Sequence, residues 1–301
     1  MPRPSTATLG VLLVVVIWGF NLSVSKWTLG EFTPLAFTAI RFALASALLA
    51  AVLHRFEGSL RLPSGAALPL IGLGLVGNTL YQLGFILGLA RTTATNSGLV
   101  LASMPVTVAA ISAATGLEQL SRRAVQGLAL ASVGVVLVIA SHGVDLSGGT
   151  LVGDLLTLAA VLCWALFTLG VRQFRTGLSP LAITTWTVIF GTPLLVAAGI
   201  PELARMDWTA TSAAGWGGLL YSSVLSLVVA YILWNRSVRV VGSNRTAIYA
   251  TLTPLVAMLT AMLILGERPR PVQLAGGALV IGGVLLSQSA ARRPAPPTPS
   301  P

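Results

Sequence analysis

The chain has 301 residues, of which 55% are hydrophobic and only 9% charged, and its mean hydropathy is +0.88. A soluble domain carries about 25% charged residues to cover its surface, so lipid must cover this one. The formal charge of +10 does not point to nucleic acid, because the Arg residues lie in short loops between apolar runs and form no contiguous basic face.

Ten apolar segments follow in order. The first runs from Thr8 to about Lys26; it has no small-residue cleavage site after its apolar core and reads as a retained helix. The second, about 34–53, opens on Pro34, which suits a helix start because the missing N–H has no intrahelical partner there. A polar connection at 54–64 leads to segments at about 66–90, 93–116 and 124–141. Beyond the loop 142–150 come segments at about 151–171, 181–200, 213–234, 244–265 and 271–289. The seventh and eighth are joined by an acidic-aromatic connection at 201–212, with Glu202, Asp207 and Trp208. The tail from Ala290 is Pro-rich and is expected to be disordered. Each segment is close to the ~20 apolar residues that cross a bilayer core.

One pattern occurs twice. A shift of 149 positions lays Pro105 on Pro254, Glu118 on Glu267, Gly127 on Gly276 and Gly134 on Gly283. Nearer the start of each half the shift is 146, matching Trp18 with Trp164, Lys26 with Arg172 and Pro34 with Pro180. The difference implies a net three-residue insertion, most simply in the loop near 201–212. Residues 1–145 and 146–289 are therefore expected to be two copies of one five-helix unit, with 290–301 as the tail.

Counting Lys and Arg with the N-terminus in the cytoplasm gives 12 on the inner side and 5 on the outer, with Arg41 inside the second segment. That excess places both termini in the cytoplasm. An odd number of spans per copy makes the second copy enter from the opposite side. Inverted repeats of this kind build secondary transporters, with the substrate site at the repeat interface near the midplane.

Several local motifs carry a resemblance. Trp18-Gly19-Phe20-Asn21 with Lys26, Arg41-Phe42, Ala90-Arg91-Thr92-Thr93-Ala94, Pro105, Glu118 and Leu265-Gly266-Glu267-Arg268 resemble the EamA-type members of the drug/metabolite transporter superfamily. The resemblance covers almost the whole chain. It implies an all-α integral membrane fold of ten transmembrane helices in two inverted five-helix repeats. It also implies efflux of amino acids or related metabolites across the bacterial inner membrane. Its central cavity would be built by helices one, three, four, six, eight and nine, with five and ten further out.

The residues nominate a site. Asn78, Tyr81 and Gln82 stand at i, i+3 and i+4 in the third segment and so share a helix face. Polar groups are costly in lipid, so that face is expected to look into the bundle, as a substrate surface or as interhelical glue. In the eighth segment Tyr231 answers to Gln82 and Trp234 to Phe85. Trp18 and Asn21, with Trp164 as repeat mate, are expected to line the cavity. Asn96 opens the fourth segment opposite Arg245, and Tyr249 follows one turn later. Arg245 is read either as a planar fork for an anion or as a basic residue at the membrane surface. Arg41 is expected to snorkel or to pair with a carboxylate such as Glu31, an anion site being the third reading. Pro105 and Pro254 interrupt the fourth and ninth segments, as hinges or as curved walls. Glu118 and Glu267 are expected to cap helices. Gly84 and Gly88 point to close helix packing, within the chain or between copies of a homodimer.

Enzymatic and ATP-driven readings find no support. No G-x-x-x-x-G-K-[ST] phosphate loop occurs, His54 and His142 lie far apart, and no Ser or Thr has a partner His or Asp at membrane depth. The single cysteine, Cys163, leaves no disulfide framework or cysteine metal site. No catalytic residue, metal or cofactor is expected, and Asp154 is the nearest approach to an intramembrane carboxylate. The expected partners are the lipid bilayer and a small-molecule substrate, carried by alternating access at a central cavity. A channel or structural membrane protein is the alternative.

Overall fold

The computed structural model describes residues 6–117, 119–141, 149–174, 177–241, 246 and 249–290. Its helices are α1 (Thr6–Thr28), α2 (Pro34–Glu57), α3 (Ala67–Arg91), α4 (Ala94–Ala114) and α5 (Arg122–Ala140) in the first half. The second half has α6 (Gly149–Gln173), α7 (Pro180–Arg205), α8 (Ala213–Ser237), α9 (Thr253–Leu265) and α10 (Pro271–Ala290). Among the described residues nine helices are long and apolar enough to cross a membrane, and α9 adds a shorter apolar helix of 13 residues. The ninth segment was expected to begin near 244, and 242–245, 247 and 248 lie outside the described residues, as do Glu118, His142 and 291–301.

Local chemistry sets the helix ends. Ser179 and Ser212 accept the N–H groups of Ala182 and Gly215 at the starts of α7 and α8, and Thr93 and Ser121 do the same for α4 and α5. Pro follows the cap residue at the starts of α2 and α7, the pair that the sequence repeat matches. Gly58 (φ 71°) and Gly266 (φ 65°) end α2 and α9 in the left-handed conformation that a side chain would strain.

Packing obeys a two-fold rule. α2 lies along α7, and α5 along α10, each pair being its own counterpart. α1 packs on α8 and α9, and α6 repeats this on α3 and α4. Burial repeats as well: Leu70, Gly74, Gly77 and Thr79 of α3 correspond to Leu219, Ser223, Ser226 and Val228 of α8, all buried, at the same shift of 149. Five helices per copy is odd, so the two copies cross in opposite senses. The fold is all-α, with two inverted five-helix repeats.

Glycine lets α5 and α10 touch along their backbones. A Cβ added at Gly127 would stand 2.5 Å from the Gly283 carbonyl oxygen, and one at Gly134 would stand 2.6 Å from that of Gly276. These are the four glycines that the repeat conserves between halves, and the symmetry axis pairs each with the mate of the other. Gly84 and Gly88 serve the same end within the chain, meeting Leu156, Ala160, Gly153 and Thr157 of α6. Large apolar side chains such as Leu13, Val136, Leu162 and Leu263 stay exposed on the outer faces, as a lipid-covered surface requires.

Two irregularities recur at matching depth. Leu75–Leu80 in α3 and Tyr221–Val229 in α8 are π-helical, and residues 75–80 and 224–229 coincide under the repeat shift. α4 breaks at Ala102 and Ser103, and the chain turns at Thr251 and Leu252 before α9. Pro105 and Pro254 therefore sit in the first turn of a new helix, where Pro is tolerated, instead of kinking a continuous one.

Candidate functional site

Helix α1 meets α8, and α6 meets α3, through aromatic walls built on the repeat-matched tryptophans. Trp18 packs on Trp234, ring centroids 5.2 Å apart, and edge-on to Tyr231 at 6.1 Å. Its indole N–H donates to the Ser226 carbonyl at 3.0 Å, inside the π-helical stretch of α8. Across the axis, Trp164 packs on Tyr81 at 5.0 Å, and Tyr81 stacks on Phe85 at 6.0 Å and 8°. Each wall joins the first helix of one repeat to the third helix of the other. Such contacts must slide or open if the repeats rock against each other.

The polar candidates divide among several neighbours. Asn78 is buried in the π-helical stretch and lies against Gly191 of α7, while Tyr81 turns to α6. The wider π-helical turn separates residues that a regular helix would align. Gln82 is buried and its Nε2 has no partner among the described residues. Asn21 is likewise buried, with Oδ1 unpartnered. Tyr249 is half-buried, and Arg245 lies outside the described residues.

Asn96 has a different task from the one expected. Its Nδ2 donates to Asp154 Oδ2 at 2.8 Å, and its Oδ1 accepts from Gln273 Nε2 at 2.7 Å. Thr92 Oγ1 donates to the other carboxylate oxygen of Asp154 at 2.5 Å. This buried knot ties α4, α6 and α10 together at one end of the bundle and engages both the nitrogen and the oxygen of the Asn96 amide. The repeat mates of Asp154 and Gln273 are Thr8 and Ala124, which cannot form it at the opposite end.

Carboxylates at the same end also cap helices of the opposite repeat. Glu267 accepts from the backbone N–H groups of Ala94 and Thr95 at 2.8 and 2.9 Å, the capping role expected for it. Glu202 does the same for Leu35 and Ala36 at the start of α2, and Glu31 accepts from the Ser212 N–H and hydroxyl at the start of α8. A carboxylate complements the positive end of a helix dipole. Lys26 donates to the carbonyls of Leu89 and Ala90, completing the same logic at the C-terminal end of α3. Sequence reading missed the roles of Glu202 and Glu31; their place beside the Pro34 and Ser212 helix starts was the available signal.

Arg41 departs furthest from expectation. It neither snorkels nor pairs with Glu31: its side chain is 2% exposed, its guanidinium lies 5.2 Å from the Phe37 ring and 5.5 Å from the Phe42 ring, and Glu31 is bound to Ser212. Tyr81 and Tyr231, one from each aromatic wall, are its electrostatic neighbours.

Known proteins resemble this chain over nearly its whole length. The EamA-like transporter family profile matches residues 5–140 and again 151–288, one match per repeat. A protein of Archaeoglobus fulgidus named "Uncharacterized transporter" is 30% identical over 281 residues, covering 91% of this chain and 94% of its own. The "Probable amino-acid metabolite efflux pump" of Salmonella typhimurium is 27% identical over 292 residues, with 92% of each chain covered. The "Probable terminal-alkyne amino-acid exporter" of Streptantibioticus cattleyicolor is 28% identical over 287 residues, covering 94% of this chain and 93% of its own. A solved crystal structure shares the fold at a TM-score of 0.66 and 20% identity, covering 96% of this chain and 99% of that one. With both repeats matched by the family profile and transporters among its full-length relatives, the chain belongs to the EamA-like transporter family, within the drug/metabolite transporters, and is a multi-pass membrane transporter, not an enzyme.

Proposed function

We propose that the protein exports amino acids or related small metabolites by alternating access at a central site between its two repeats. The observation that carries this reading is the pair of aromatic walls, Trp18 with Tyr231 and Trp234, and Trp164 with Tyr81. They combine apolar surface with polar tips at the interface that alternating access would open and close. Gln82 and Asn21 add buried polar atoms without protein partners on the same helices. The breaks before Pro105 and Pro254 supply the matched points at which half-helices would pivot. The names of the relatives in Salmonella typhimurium and Streptantibioticus cattleyicolor support amino-acid-like cargo. The 12 to 5 distribution of Lys and Arg supports a bacterial inner-membrane placement with both termini cytoplasmic.

Counterflow into proteoliposomes tests this reading. Vesicles preloaded with unlabelled amino acids, sugars or nucleosides are expected to accumulate labelled amino acid, saturably, with the wild type. Tyr81→Ala and Gln82→Ala are expected to remain folded and to lose most of that uptake. Saturable uptake of sugars or nucleosides alone would refute the cargo, and flux that does not saturate would favour a channel.

A further inference from the structure

We propose that Arg41 is the anion anchor of the transport site and holds the carboxylate of the substrate between Tyr81 and Tyr231. The proposal rests on the transporter reading above and adds the chemical class of group that the site must recognise.

Three observations converge on it. The first is that Arg41 is a buried cation with no counter-ion among the described residues. Its guanidinium makes no hydrogen bond to protein among the described residues, and its Nε is buried with no partner. Each of the six described carboxylates is engaged elsewhere: Glu31 with Ser212, Glu57 with Ser179, Asp154 with Thr92 and Asn96, Glu202 with the start of α2, Asp207 with Thr209, and Glu267 with the start of α4. An ionised group in the membrane interior is costly, and such groups mark substrate or ion pathways. Two aromatic faces offset part of the cost but satisfy none of the five N–H donors.

The second is location. Phe37 belongs to the apolar cluster against which Tyr81 packs, and Phe42 to the cluster that includes Tyr231, so Arg41 lies at the seam between them. That seam is bounded by the same two tyrosines that head the aromatic walls. A ligand there would meet a planar cationic fork, two phenol hydroxyls and aromatic rings, a combination suited to a carboxylate attached to a small apolar body.

The third is asymmetry. The repeat mate of Arg41 is Thr187, which donates its hydroxyl to the Thr184 carbonyl at 3.0 Å, and the mate of Tyr81 is Ala230. A residue that served the scaffold would be expected on both sides of the axis. A residue that reads one end of a substrate need occur only once.

The test uses the full chain in proteoliposomes. Counterflow would be measured with leucine, phenylalanine and threonine, with their primary amides, and with the matching 2-hydroxy acids. Wild type is expected to carry the acids and discriminate against the amides. Arg41→Gln is expected to raise the half-saturation concentration for the acids by about 10- to 100-fold, the scale of a hydrogen bond to a charged group. Arg41→Lys, which keeps the charge and loses the fork, is expected to fall between them, and it decides the matter should Arg41→Gln not fold. Equal transport of acids and amides, or unchanged half-saturation in both variants, would overturn the anchor and leave amino-acid export standing. Transport of the hydroxy acids alone, lost in Arg41→Gln, would keep the anchor and overturn the amino-acid cargo. No counterflow with any of these solutes would overturn both.

Discussion

Individual polar residues in this bundle separate into those whose bonding groups the protein uses and those whose groups it leaves free. Asp154, Thr92, Asn96 and Gln273 belong to the first kind, linked by bonds of 2.5 to 2.8 Å at one end of the bundle. Removing the carboxylate would strand two buried donors, at roughly 1–3 kcal/mol for each group left unsatisfied. Asp154→Ala is accordingly expected to lower the thermal unfolding temperature in detergent, read from tryptophan fluorescence; an unchanged temperature would show that the knot does not hold α4 to α6. Arg41 and Gln82 belong to the second kind. The sequence marks all of these residues equally, as polar letters in apolar runs, and nothing in spacing alone tells Asn96 from Gln82. The distinction depends on which side chains three other helices bring within hydrogen-bonding reach, and a single helix face does not encode that.

Whole elements were more legible than their irregularities. Ten apolar runs and the helix start at Pro34 follow from composition and turn chemistry. The π-helical stretches do not, because no side-chain pattern specifies the extra residue per turn; yet they decide that Asn78 meets α7 while Tyr81 meets α6. The α5–α10 pair offers a sharper contrast. Both sequence halves display the glycines, and the structure gives the reason: backbones too close for any side chain. Gly283→Ala should gain about 1 kcal/mol from helix propensity but place a Cβ 2.5 Å from the Gly127 carbonyl oxygen, where overpacking costs about 1–3 kcal/mol or more. Net destabilisation is expected. Gly282→Ala is the control, because its Cβ would meet only a Leu130 methyl group at 3.8 Å. Equal unfolding temperatures for the two variants would contradict close packing of these helices.

At the scale of the molecule, the duplication was readable from paired Pro, Glu and Gly residues, and inversion followed from an odd helix count. The contacts between halves were not readable, since they depend on where the symmetry axis falls. The two aromatic walls join the repeats, and the knot at one end of the bundle has no counterpart in the sequence at the other. The proposed alternating access requires this scaffold to expose its centre to one side at a time. The most direct test labels two pairs of cysteines in a Cys163→Ala background, Arg91 with Asp207 at one end and Phe56 with Arg236 at the opposite end, all on exposed positions. Spin-label distances would be recorded with and without the transported amino acid. Two populations are expected at each end, changing in opposite directions, so that one pair separates as the other closes. Distances that never change, or both ends opening together, would contradict alternating access and describe a pore.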